Sequence, residues 1–470
     1  MSRRPIYMKN KNKSYWLIFL MLVVIGWIFF GYDSSSVLNS LVDNSKLKGR
    51  TFQGVVEEIT SDKGRIKAYF IEEKDSPLVS ISFIFSEAGV AYDPKGKEGL
   101  AKLVSSSMLA GSQKMSSEEL SDYTGIKGIN ISFSASMDSF TGQMTASKEN
   151  FSDAISVLHQ VLISPRYERK YVENNKDVMI KSLKVEKESP AKELNLAFNE
   201  LIYGDYPYGR NPLGDIKAIE SITRDDLKAF VKNNLSKSNL FVGIAGNISK
   251  DEAIDALKKI FGDLAIKNKT SKLEFADIDW AKSKISINRE NAGQNIASFA
   301  VKGTCRKCDD FYPLYIANYL FGGSGLNSKL NQKIREQEGL TYGGYSGLVL
   351  LDNANLITAG FSATPDKYAK AEKLFKQEWI NVCKNGFNET DLKSAKKYLT
   401  SSYNLRFAST IGIAEMLAYM QKYDLGLDFL QKRNQYVEEV TLEQLNRVSA
   451  DYFTENMLQA EIGSFNKGEN

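Results

Sequence analysis

Apolar and polar residues follow two periods along this chain. Val79, Ile81, Phe83 and Phe85 alternate with Ser80, Ser82 and Ser86, which predicts a half-buried strand over 78–86. Ile129, Ile131, Phe133, Ala135 and Met137 predict a second strand in the same way. Between them, Leu100, Leu103, Val104 and Met108 recur at helical spacing within 99–109. Residues 223–235 and 249–264 read as helices flanking a strand at 240–245, and 150–162 is helical in pattern. The second half repeats the mixture, with a strand over 296–302 and helical stretches at 365–384, 388–405 and 441–453. An internal echo accompanies it. Ile222-Thr223 and Leu227 lead through a helix to the strand at Leu240, and Val440-Thr441 and Leu445 lead likewise to Leu458 at a constant offset of 218 residues. That predicts a duplicated domain of about two hundred residues, joined through the polar stretch 267–279.

One segment has neither period. Tyr15 to Tyr32 (YWLIFLMLVVIGWIFFGY) is an uncharged run with aromatic residues at both ends. As a helix it would be roughly 27 Å long, enough to cross a hydrocarbon core. A basic flank precedes it and Asp-Ser-Ser-Ser follows, so the N-terminus is expected in the cytoplasm and the body outside the inner membrane, in the periplasm. The competing reading is a cleaved signal peptide. The exit Ile-Phe-Phe-Gly-Tyr-Asp lacks the small residues of a cleavage site, which favours an uncleaved anchor.

Composition narrows the chemistry. The formal charge of the 470 residues is +4, but Arg3, Arg4, Lys9, Lys11 and Lys13 all precede the apolar run, and without them the two signs nearly cancel. A nucleic-acid partner is therefore not expected. The single histidine, His159, excludes any metal site built on two histidines and leaves only one residue for a Ser-His or Cys-His pair. Cys305-Arg-Lys-Cys308 is a C-x-x-C that can close a structural disulfide in an exported protein, with Cys383 left free. A redox role for the pair is the remoter reading, since such motifs typically open a helix in a thioredoxin-like unit.

Several separated blocks resemble one family. The strand at 78–86 followed by Glu98-Gly-Leu-Ala-Lys-Leu-Val-Ser-Ser-Ser-Met-Leu is similar to the opening of the M16 zinc peptidases, where members read G-L-A-H-x-x-E-H-M-L. The resemblance continues through Ser189-Pro190, Tyr203-Gly-Asp-Tyr-Pro-Tyr-Gly-Arg-Asn-Pro-Leu-Gly214 and the 223–246 block. It returns at Leu320-Phe-Gly-Gly-Ser-Gly-Leu-Asn-Ser-Lys-Leu330 and Arg335-Glu-Gln-Glu-Gly-Leu-Thr-Tyr342, covering nearly everything from about 65 to 465.

The resemblance implies an α+β protein of two homologous domains, each a largely antiparallel sheet with helices on one face, together forming half of a clamshell. The expected order is a basic tail (1–14), a transmembrane anchor (15–32), a linker (33–50), an N-terminal domain (51–266), an interdomain linker (267–279) and a C-terminal domain (280–470). The family's metal-site positions fall on Lys102, Ser105, Ser106, Asn175 and Ser182. Zinc needs deprotonated nitrogen, sulfur or carboxylate donors, so no metal is expected in this chain. The family's substrate and oxyanion pair maps onto Arg335 and Tyr342, and its glycine-rich loop beside the substrate cavity onto Gly322, Gly323, Ser324 and Gly325. A plain turn is the equal alternative for that loop. The implied function is a non-catalytic subunit of a heterodimeric peptidase, lending Arg335 and Tyr342 to a zinc-bearing M16 paralogue that cleaves peptide or unfolded-protein substrates. The alternative is a structural or peptide-binding pseudopeptidase with no part in catalysis.

Overall fold

The computed structural model describes residues 54–281 and 284–465. The predicted tail, anchor and linker (1–14, 15–32 and 33–50) lie outside the described residues. Among the described residues no helix is long and apolar enough to cross a membrane.

Two sheets carry the fold. The first contains β1 (Glu57–Ser61), β2 (Ile66–Glu72), β3 (Leu78–Ser86), β4 (Asn130–Ala135), β5 (Ser139–Ser147) and β6 (Leu240–Gly246), in the order β1-β2-β6-β3-β5-β4. The second contains β7 (Lys284–Asn288), β8 (Asn295–Lys302), β9 (Thr341–Leu351), β10 (Ala354–Ala363) and β11 (Leu458–Gly463), in the order β7-β11-β8-β10-β9. Apart from the extra edge strand β1, the two orders are the same. In each sheet the first and last strands of the repeat pair in parallel (β2 with β6, β7 with β11) and the other neighbours are antiparallel. Ile66 and Lys284 begin equivalent strands, as do Leu240 and Leu458, so the echo read from two segments extends to the whole topology.

Each sheet buries one face under helices of its own half. Phe83, Phe85 and Ile81 meet Leu103, Leu158, Phe230 and Leu257 in the first core, and Phe299 and Phe361 meet Phe375, Trp379 and Phe321 in the second. Helices on one face only were expected. The structure corrects this, because the opposite face of each sheet carries one helix donated by the other half. Thr410–Lys422 lays Ile413, Ala414 and Leu417 over Tyr69, Ile71 and Ala245 of the first sheet. Pro190–Tyr203 lays Leu194, Phe198 and Leu201 over Leu458, Ala460 and Ile462 of the second. The serine face of β3 is accordingly buried rather than solvated. Ser80 and Ser82 are almost fully covered, and Ser80 Oγ satisfies itself on Thr145 Oγ1 at 2.9 Å.

The stretch 267–279 forms no helix or strand, yet it is tied down. Ala276 N–H donates to Asn353 O (2.8 Å), Lys269 N–H to Asn233 O (2.8 Å), and the Tyr206 hydroxyl to Glu274 O (2.6 Å). Leu273, Ile278 and Trp280 pack beside the core under Pro190–Tyr203.

Candidate functional site

The sequence points to two groups of residues, one in each half. The first sits on the helix Leu100–Ser107. Its start is set by Gly99, whose φ of +96° is a left-handed conformation and whose missing Cβ makes room for Leu213 O. The buried Asp93 carboxylate accepts the Gly99 and Ala101 N–H groups at 2.9 Å each. Burial pushes the Asp93 carboxyl up to about 7, against the pull of those donors.

The helix Arg169–Glu188 packs alongside, and Asn175 bridges the two. Its Nδ2 donates to Ser106 O (2.9 Å) and to Ser107 Oγ (3.0 Å). Ser105 Oγ donates to Lys102 O (2.9 Å), Ser106 Oγ to Leu103 O (3.1 Å) and Ser182 Oγ to Val178 O (2.9 Å). The structure thus brings Lys102, Ser105, Ser106 and Asn175 to one place, with Ser182 two turns beyond Asn175. Their hydroxyls and amide are turned inward onto backbone. Lys102 is half-buried and forms no hydrogen bond or ion pair with a described residue. Burial lowers its pKa from the ordinary lysine range.

These residues do not fit zinc. An ammonium repels the ion, and the neutral serines and the amide are already engaged. Among the described residues no group of three or more His, Cys, Asp or Glu side chains is placed to hold a metal.

The second group lies at the entrance to β9, the edge strand of the second sheet. Tyr319–Gly323 and Gln332–Gln337 are wide π turns. Gly322 packs against β9 so closely that a Cβ would lie 2.6 Å from Ser346 N, and Gly325 adopts φ +59°. The glycines at these two positions are therefore required by packing and turn geometry. A residue the sequence reading missed holds the loop in place. Asn331, almost fully buried, donates through Nδ2 to Gly325 O (2.8 Å) and Gly344 O (2.7 Å), and its Oδ1 accepts Gly344 N–H (2.7 Å). One tight turn then separates Arg335 from Tyr342, closed by Gly339 N–H to Arg335 O (2.9 Å) and Leu340 N–H to Ile334 O (3.0 Å). Tyr342 is 78% exposed and Arg335 half-buried. Neither the phenol nor the guanidinium is engaged by a described residue.

Cys305 and Cys308 are joined in a disulfide and Cys383 is free. The turn holds Arg306 over the rings of Tyr419 (5.0 Å) and Tyr423 (4.4 Å), where it donates to the Tyr419 hydroxyl and to Leu350 O on β9 (3.2 Å). His159 stands apart, 3.0 Å from the exposed Asp263 carboxylate.

Sequence comparison matches residues 70–215 to the family described as insulinase, peptidase family M16, and residues 221–399 to the peptidase M16 inactive domain. A non-peptidase homolog, YmxG, of Helicobacter pylori is 23% identical over 433 residues, 91% of this chain and 94% of that protein. An uncharacterized zinc protease of Bacillus subtilis, also YmxG, is 22% identical over 317 residues, 67% of this chain and 76% of that protein. The crystal structure of a peptidase M16 inactive domain from Pseudomonas fluorescens superposes with a TM-score of 0.82 at 23% identity, covering 87% of this chain and 98% of that one.

Proposed function

The chain belongs to the M16 (insulinase) peptidase family and lacks its zinc motif, and from that membership we propose that it is the non-catalytic subunit of a two-chain zinc peptidase. In this reading a partner of the same family carries H-x-x-E-H and the zinc, while this chain contributes Arg335 and Tyr342. The observation that carries the reading is the state of Tyr342. It stands at the start of the edge strand β9, 78% exposed, with its hydroxyl unengaged by any described residue. A phenol so held can donate to the oxygen on which negative charge develops when a peptide bond is attacked. Arg335, one turn away, can hold a neighbouring substrate carbonyl. Substrate is an extended peptide or unfolded segment that adds as a strand to the partner's sheet edge, with Gly322, Gly323, Ser324 and Gly325 lining its path. The apolar run 15–32 supports an inner-membrane anchor with the body in the periplasm.

The test is co-expression with an H-x-x-E-H relative encoded in the same genome. Peptidase activity should require both chains, and Tyr342→Phe should lower kcat/KM by about 10²–10³. Full activity in that variant, or no complex, would leave a peptide-binding pseudopeptidase as the better reading. The non-peptidase name of the Helicobacter pylori relative favours that second reading.

A further inference from the structure

Lys102 poses a physical question that the proposed catalytic partnership does not answer. A half-buried ammonium is normally paired, because removing a charge from water without a counter-ion is unfavourable. Here no described residue pairs with it, and burial lowers its pKa. The surrounding polar groups are spent. The N–H groups of Gly99 and Ala101 go to Asp93, that of Leu100 to Lys97 O, and that of Leu103 to Gly99 O. The hydroxyls of Ser105, Ser106 and Ser182 donate to helix carbonyls, and the Asn175 amide donates to Ser106 O and Ser107 Oγ. Among the side chains at the family's metal positions, the donors left over are the three N–H bonds of the Lys102 ammonium. Beyond Asn175 on the adjoining helix, Val178 (53% exposed) and Val185 (67% exposed) make an apolar stripe on either side of Ser182.

We propose that the degenerate metal position is an anion anchor, in which the Lys102 ammonium pairs with a carboxylate of an extended peptide whose apolar side chains lie along Val178 and Val185. A single cation without further donors suits a monoanionic carboxylate. A phosphate group, with close to two charges and three acceptor oxygens, calls for several donors or an arginine fork, and the side chains at the family's metal positions supply neither. The inference rests on the reading of this chain as one that holds peptide without cleaving it, and it concerns the chain alone, without the zinc-bearing partner.

The experiment titrates the full-length chain, in detergent where required, with dansyl-labelled nonapeptides of Ala, Val, Ser and Lys. Each peptide is made with a free C-terminal carboxylate or a C-terminal amide, and with or without one internal aspartate. Peptides bearing a carboxylate should bind at least about tenfold more tightly than the amidated, aspartate-free form, as one charge-assisted contact warrants. Preference for the free C-terminus or for the internal aspartate identifies which carboxylate is used. Lys102→Met should bring that ratio to about one with the melting temperature undiminished, and Lys102→Arg should retain most of it. Equal binding with and without a carboxylate, a ratio unchanged in Lys102→Met, or no binding of any form at millimolar peptide would overturn the proposal. Failure here beside a Tyr342-dependent activity of the two-chain enzyme would count against the anchor alone. Carboxylate selectivity in a chain that completes no peptidase would count against the partnership alone.

Discussion

The amide of Asn331 makes four hydrogen bonds, to Gly325 O, to Ser328 Oγ and to both the N–H and C=O of Gly344, and through them the glycine loop is tied to the strand bearing Tyr342. Arg335 and Tyr342 were legible in the sequence because their spacing stands inside a recognisable block. Asn331 was not, since a buried bridging asparagine and an exposed turn asparagine look alike in a local pattern. Its partners identify it, and one of them is thirteen residues away. Arg306 is a similar case, for its value depends on Tyr419, Tyr423 and Leu350, none of them nearby in the chain. Replacing Asn331 with Ala should leave a buried Gly344 N–H without an acceptor. The expected destabilisation is about 2 kcal/mol in urea unfolding. A change below about 0.5 kcal/mol would show that the amide does not hold the loop.

Among the elements, the crossing helices decide how far the predicted alternation can be trusted. The pattern of β3 made its serine face look solvated, and Thr410–Lys422 covers that face. The crossing needs a backbone close enough that Gly243 of β6 has no space for a side chain. A Cβ there would overlap the Ala414 carbonyl and lie 2.6 Å from Ala418 N. Gly243→Ala should therefore cost about 2 kcal/mol by overpacking. Gly347→Ala on β9, where a Cβ meets nothing within 4 Å, should change stability by less than about 0.5 kcal/mol. Equal effects in thermal unfolding would refute the close-approach argument. By order along the chain, the helix Leu100–Ser107 after β3 is matched in the second half by Phe311–Asn318 after β8, the helix that leads into the glycine loop.

In the whole molecule, the halves meet at their hairpin turns. Asp138, beside β5, accepts hydrogen bonds from the Tyr208 hydroxyl and from the N–H of Asp352, which lies in the β9–β10 turn (3.0 Å to the latter). Lys422, at the end of the crossing helix, reaches Asp352 at 2.9 Å and Ser139 Oγ at 2.8 Å. Burial by itself would lower the Lys422 pKa, but Tyr423 and Asp352 outweigh it and hold the pKa above the ordinary lysine range. Burial likewise raises Asp138, with Tyr208 and Asp352 N–H opposing. Asp352→Ala would strip the buried ammonium of its nearest carboxylate, and a loss of about 3 kcal/mol is expected. The double variant Asp352→Leu with Lys422→Met should lose less than the sum of its single changes. Additive losses in that cycle would mean the pair is not coupled.

The chain's residue order settles whatever is local: the periods that make strands and helices, the echo that repeats them, and the replacement of metal donors by Lys102, Ser105, Ser106, Asn175 and Ser182. The periods depend on side-chain chemistry within a few positions, and the echo and the replaced donors on comparing one stretch of sequence with another. Folding in three dimensions decides which helix covers the far side of which sheet, that Ser80 and Ser82 are buried, that Asn331 and Lys422 are joints, and that no described residue pairs with Lys102. Those outcomes depend on what lies across a contact, and contacts here join positions as much as two or three hundred residues apart. No local pattern can carry that information.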